Sequence, residues 1–215
     1  MRAFVAVVLV GALATVARAD PSQTDAAALA RWRAERDAQR VFVDVDLGLR
    51  FGVEDSHNEA TYGQLDRYGY RGDATTKTVT VAAGYELIPF VDLGAVFERS
   101  WHGEGAVGSG AAMETYANAG GIVVRGKIRS PSRRFEAATR IELGGIRSST
   151  ELRGQSLVRW SPYLRNRVEL LIGRPTLAVA LHFTYTLVWG TADFAPYVPP
   201  VLGGLGVGVG VMHRF

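Results

Sequence analysis

The chain ends on an apolar strand with an almost bare reverse side. In an extended segment successive side chains point to opposite faces. Along 205–215 that places Leu205, Val207, Val209, Val211 and Phe215 on one face, and Gly206, Gly208, Gly210 and finally Arg214 on the other. The terminus of a soluble domain is ordinarily frayed and polar. This one needs hydrogen-bonding partners along both edges and an apolar medium on one side. The closing strand of a transmembrane β-barrel satisfies both needs, because a closed sheet leaves no backbone group unpaired in lipid.

The opposite end of the chain has a different character. Arg2, an apolar run from Ala3 to Val16 and the small-x-small triplet Ala17-Arg18-Ala19 form a secretion signal over residues 1–19. The run is too short to span a bilayer as a helix, and no later stretch reaches the roughly 18 apolar residues that a spanning helix needs. Any membrane passage by the mature chain is therefore made by strands. Loss of residues 1–19 removes two arginines and no acids, lowering the formal charge from +3 to +1. That balance is no footprint for nucleic acid. The absence of cysteine excludes disulfides and thiolate metal sites. Only Lys77 and Lys127 among the 24 basic residues are lysines. Soluble β-proteins blunt their edges with lysine, whereas arginine suits fixed pairing with carboxylates in a confined space.

Residues 20–40 read as a leader rich in alanine and arginine. Ser22, Thr24 or Asp25 can cap a helix that places Leu29 and Trp32 on one face. Such a segment is either a mobile, partly helical periplasmic leader or a short helix lying at the membrane surface. From Val41 onward the period is two. Segments at 41–51, 78–87, 91–98, 114–128, 135–144, 158–172 and 177–187, with the terminal one, make eight strands. The fourth is the least regular: Gly120-Gly121 predicts a bulge there. Pro162 is placed at the outer end of the sixth strand, since it cannot donate to a ladder. Connections near Pro89, Pro131 and Pro175 are short, and those over 52–75, 102–112, 147–155 and 190–204 are long. Three short turns and four long loops are what an eight-stranded up-and-down barrel with both ends periplasmic requires.

Alternation alone also fits a soluble, lipocalin-like barrel with an apolar interior. Three features favour charged-in, apolar-out. The polar faces carry both signs: Asp44, Asp46, Glu86, Asp92, Glu98, Glu136, Glu142 and Glu169, with Arg50, Arg125, Arg140, Arg165 and Arg167. Burial of a lone charge costs several kcal/mol, so a narrow lumen needs such compensation. These faces are otherwise rich in glycine and alanine, as a barrel barely wide enough for its own side chains demands. Aromatics gather at strand ends, Tyr85, Phe90, Phe135 and Phe215 by the short turns and Phe51, Trp101, Trp160 and Trp189 by the loops, as two interfacial girdles would.

With these features the chain resembles the small eight-stranded outer-membrane barrels of the OmpA and OmpX type, over about residues 41–215. The resemblance implies an all-β barrel in the outer membrane of a Gram-negative envelope. It also implies that Phe215, with Val211 and His213 on the same face, is read by the barrel-insertion machinery. The family usually carries an aromatic where this chain has His213. Outer-membrane lipid, lipopolysaccharide and that machinery are the implied partners.

Function is less legible. The expected site is a lumen charge network of Asp44, Asp46, Arg50, Glu86, Asp92, Glu98, Glu136, Arg140, Glu142, Arg165, Arg167 and Glu169, filling the bore and leaving a non-enzymatic envelope or surface-interaction role without cofactor. The first alternative is a small porin gated by Arg140, Arg165, Arg167, Glu136 and Glu142. The second is a lipid A-modifying enzyme. For it, Ser56 and His57 in the run Glu54–Glu59 need an orienting acid in mutual hydrogen-bond reach, which neighbours in sequence rarely achieve, and His182 with Thr184 points inward, fitting a hydrogen-bonded lumen residue. Asp55, His57 and Glu59 are a conceivable cation site. Tyr62, Arg67, Tyr68 and Tyr70 in the first loop, and Pro196, Tyr197, Pro199 and Pro200 in the last, fit a surface for an unidentified extracellular ligand. The glycines of 203–210 belong to a strand and not to a phosphate-binding loop.

Overall fold

The computed structural model describes residues 40–51, 71–72, 75–102, 105–107, 111–130, 134–152, 155–174, 176–189 and 203–215. The expected signal (1–19), the leader up to residue 39, the Glu54–Glu59 run and the tyrosine- and proline-bearing loop positions fall outside them.

Eight long strands form the barrel: β1 (Val41–Phe51), β2 (Thr75–Ile88), β3 (Val91–His102), β4 (Ala111–Arg129), β5 (Phe135–Leu152), β6 (Gln155–Gly173), β7 (Leu177–Val188) and β8 (Gly204–Arg214). Each pairs antiparallel with its neighbour in sequence, and β8 pairs with β1, closing the sheet. The seam runs from Phe42 opposite Arg214 to Phe51 opposite Leu205, and the Phe215 amide donates to the Val41 carbonyl at 2.9 Å. Gly204, at φ 115°, opens β8 in a backbone conformation that favours glycine.

The pairing register fixes the bore. Partners followed once round the sheet run Val41, Tyr85, Leu93, Val124, Ile141, Asn166, Tyr185, Leu205 and back to β1 at Phe51, a stagger of ten residues. With ordinary strand spacing, eight strands at that stagger tilt by roughly 40° and enclose a backbone cylinder of roughly 8 Å radius. Opposite walls are then within reach of two facing long side chains. The exterior is an apolar wall that includes Leu47, Phe97, Ile122, Leu143, Val168, Leu181 and Val209, all exposed, while the charged network faces inward and is buried. An apolar exterior around a charged interior is the arrangement of a transmembrane barrel.

Three expectations are corrected. The predicted bulge at Gly120-Gly121 is absent, because β4 pairs in one unbroken register with both β3 and β5. Gly120 faces Gly145 and Gly121 faces Gly144, so the glycines are cross-strand pairs. The irregularity lies between Glu86 and Ile88, where Leu87 and Ile88 are both exposed beside the Pro89 turn. The span 147–155 is no long loop: β5 and β6 continue as a hairpin to Leu152 opposite Gln155. The span 102–112 likewise holds a short strand, Gly105–Val107, that pairs with β4 and with Arg71–Gly72.

Pro162 sits at the outer end of the β6–β7 ladder, whose first pair is Tyr163 with Val188, and its carbonyl accepts from the Trp189 amide at 3.1 Å. Beyond it β4, β5 and β6 rise above the rim as a three-stranded ledge.

Candidate functional site

The predicted charges meet in the bore as one connected network. Arg167 holds Asp46 with two parallel bonds of 2.6 and 2.7 Å and reaches Glu169 at 2.7 Å. Arg140 bridges Asp44 at 3.0 Å and Glu142 at 2.8 Å. Arg165 joins Glu142 at 3.0 Å to Glu98 at 2.8 Å, and Arg50 completes Glu98 at 2.7 Å. The hydroxyl of Thr80 also donates to Glu98, while Arg165 donates to Thr186. On the short-turn side, Arg125 lies against three carboxylates at once: Glu136 at 2.6 Å, Glu169 at 2.7 Å and Asp92 at 2.9 Å.

Four cations outside the predicted network complete it. Arg125 and Arg214 lie on inward faces read from the sequence; Lys127 faces in beside Arg125 on β4, and Arg129 ends that strand. Lys127 pairs with Glu86 at 2.5 Å and with Asp92. Arg129 spans Glu86 and Glu136, and Arg214 reaches Glu136 at 2.7 Å. Among the described residues eight carboxylates thus face eight cations, counting half-buried Arg129, and the network is formally neutral.

The register explains why such dense pairing is needed. Arg125, Arg140 and Arg167 are direct neighbours on β4, β5 and β6, three guanidinium groups in one row. Glu86 and Asp92 likewise oppose each other across β2 and β3. Like charges directly opposite are unfavourable. Both rows are relieved: Asp44 and Asp46 of β1 cover Arg140 and Arg167 across the bore, Arg125 is covered by Asp92, Glu136 and Glu169, and Lys127, on the strand beside Asp92, sits between Glu86 and Asp92. These pairs stitch together walls that are distant in sequence. Around them lie apolar and small residues, Phe42, Val96, Val123, Leu171 and Met212 in one cluster and Ile146, Tyr163 and Val188 in another.

The bare face of β8 has a specific use. A Cβ on Gly210 would fall 1.9 Å from the Asp46 carboxylate, one on Gly208 2.4 Å from the His182 ring, and one on Gly206 2.5 Å from the Thr184 hydroxyl. Its occupants are thus one carboxylate, a histidine and a threonine. His182 does point inward with Thr184, but it is not the hydrogen-bonded residue expected. Neither ring nitrogen has a hydrogen-bond partner among the described residues, and Nε2 stands 3.6 Å from Asp46, whose oxygens Arg167 already takes. Packing against Gly208 holds the ring.

The chemistry of this arrangement is that of a filled core. Arg125, Arg140 and Glu142 have no exposed surface, and Arg167 has 2 %. The five residues named as a gate, Arg140, Arg165, Arg167, Glu136 and Glu142, are all tied into the network. At the seam's outer face Val211, His213 and Phe215 are exposed, with the His213 and Phe215 rings 4.3 Å apart.

Comparison with one solved structure gives the same fold, and two further barrels are matched at lower scores. Neisserial surface protein A is matched over 81 % of this chain and 97 % of its own, at 13 % identity and a TM-score of 0.50. OprG of Pseudomonas aeruginosa is matched over 82 % and 96 %, at 9 % identity and a TM-score of 0.48. Ail of Yersinia pestis, at 12 % identity, is matched over 82 % and 99 % with a TM-score of 0.42. No protein-family model matches the sequence, and no curated protein does.

Proposed function

We propose that this chain is an outer-membrane barrel that serves the cell envelope as a closed structural and surface-presenting element, and that it neither conducts nor catalyses. The observation that carries this reading is the neutral network across the bore, with residues of all eight strands joined in it when Thr186 and its bond to Arg165 are included. A conducting pore needs a continuous aqueous path. Here the cross-lumen pairs occupy the space through which such a path would run. Residues 1–19 act as the removed signal that sends the chain to the envelope. Val211, His213 and Phe215, on the lipid side of β8, present the end that the insertion machinery reads. The outer loops then face an extracellular ligand.

The test is solute flux. Purified, refolded protein in liposomes should leave them osmotically intact in small sugars such as arabinose, whereas swelling at a rate set by sugar size would establish a channel instead. The lipid A acyl pattern of cells with and without the protein should be the same. A changed pattern would make the protein an enzyme.

A further inference from the structure

We infer that the outer wall of the barrel carries a docking site for a phosphorylated lipid of the outward-facing leaflet, at the loop-side rim over β3, β4 and β5. The inference rests on the outer-membrane reading above, which sets that rim in a lipid leaflet. Three cations break the apolar exterior there. Arg99, Asn118, Arg147 and Trp160 are successive cross-strand partners pointing outward, and Lys77 and Trp101 are partners in the row above. Among the described residues none of Lys77, Arg99 and Arg147 forms an ion pair with a carboxylate. The outward-facing acids Glu114 and Glu151 stand further up the ledge, opposite each other.

The depth of the cations is set by the aromatics. Trp160, 70 % exposed, shares the row of Arg99 and Arg147, and tryptophan girdles mark the headgroup level. A cation on a lipid-facing wall is unfavourable in hydrocarbon and nearly neutral at the interface. At that level an anionic phosphate is its natural counter-charge. Arg99 is also held ready: its guanidinium donates to Asn118 Oδ1 at 3.1 Å and stacks 5.1 Å from Tyr116 and 5.7 Å from Trp101. Stacking and one amide contact fix the group without neutralising it.

A second feature lies directly beneath the cations. Gly120 and Gly145 are cross-strand partners on the outward face, between Phe97 on β3 and Pro162 on β6. A Cβ on Gly120 would meet nothing nearer than 3.9 Å, and one on Gly145 nothing nearer than 3.8 Å. Their bareness is therefore not required by packing within the barrel. Glycine inside a strand otherwise weakens it, and it often marks close approach of a ligand. The result is a shallow strip, walled by Phe97 and Pro162 and floored further in by Ile122 and Leu143, that leads from the cation row toward the hydrocarbon. Phosphate on Arg99 and Arg147 with an acyl chain along Gly120 and Gly145 uses both features at once.

Native mass spectrometry of the full chain, refolded in detergent and supplied with purified bis-phosphorylated lipid A, tests this. We expect retained lipid adducts on the wild type, a loss of at least about tenfold in R99Q/R147Q, and an intermediate loss in G120L/G145L. Lipid A stripped of its phosphates should bind like R99Q/R147Q does, and inorganic phosphate should not compete. Equal retention by the wild type and R99Q/R147Q overturns the site, and so does full competition by phosphate alone. R147Q alters an exposed side chain and serves as the readout if R99Q/R147Q fails to fold. Absence of adducts on an osmotically tight wild-type barrel sinks the docking site alone, whereas sugar flux sinks the closed-barrel reading alone.

Discussion

Methionine in place of Arg125 leaves three buried carboxylates short of a cation. The guanidinium lies 2.6 to 2.9 Å from Glu136, Glu169 and Asp92, and it has no exposed surface. The loss is not three separate ion pairs. Asp92 keeps Lys127, Glu136 keeps Arg129 and Arg214, and Glu169 keeps Arg167. Methionine also fills most of the volume. What remains is one uncompensated negative charge in a closed lumen, so the expected cost is that of breaking one buried pair, about 3–5 kcal/mol, or roughly two to four powers of ten in the folding equilibrium. Arg129→Met removes contacts to Glu86 and Glu136 from a side chain 24 % exposed, and should cost about 1 kcal/mol or less. The assay is reversible urea unfolding in lipid vesicles, followed by tryptophan fluorescence and by heat-modifiable migration. Adding Glu169→Gln to Arg125→Met restores neutrality and should recover part of the loss. An Arg125→Met barrel within about 1 kcal/mol of the wild type would refute the view that the lumen charges are desolvated and mutually dependent.

Other outcomes follow from local geometry. Gly144→Ala places a Cβ 2.0 Å from the Gly120 carbonyl, a backbone atom that cannot swing away, and should cost more than about 2 kcal/mol or prevent folding. Gly126→Ala meets nothing within 4 Å and should be tolerated within about 0.5 kcal/mol; equal effects of the two, read in the same urea titration, would contradict the assigned register. Phe215→Ala keeps the amide bond to Val41 but removes the terminal ring, so it should lower the amount of barrel assembled in cells while leaving refolding in vitro unchanged. Normal assembly in cells would remove Phe215 from the role of insertion signal.

Much of the barrel is legible because inside and outside differ so sharply. Asp44 and Asp46 between Val43, Val45 and Leu47 leave β1 only one way to face, and β8 is as plain. The signal fades where the medium is no longer lipid. Above the rim, Ser148, Ser149 and Ser156 belong to a ledge whose faces do not alternate apolar with polar, so a strand hairpin reads as a loop. Gly120-Gly121 misleads for another reason: its partners Gly145 and Gly144 lie on a different strand, and only the register reveals the match. The same holds for the charges. Inward placement is periodic and readable, but Arg167 finds Asp46 across 121 residues, and Arg129 and Arg214 meet at Glu136 from the ends of two different strands, a convergence that no local pattern encodes.

Single-channel recording in planar bilayers tests the closed lumen most directly. A neutral network that fills the bore predicts a flat baseline at moderate voltage, for the wild type and for Arg129→Met alike. Discrete, reproducible openings that scale with salt, and that change in size in Arg140→Gln or Arg165→Gln, would mean that the bore is an open path lined by these residues.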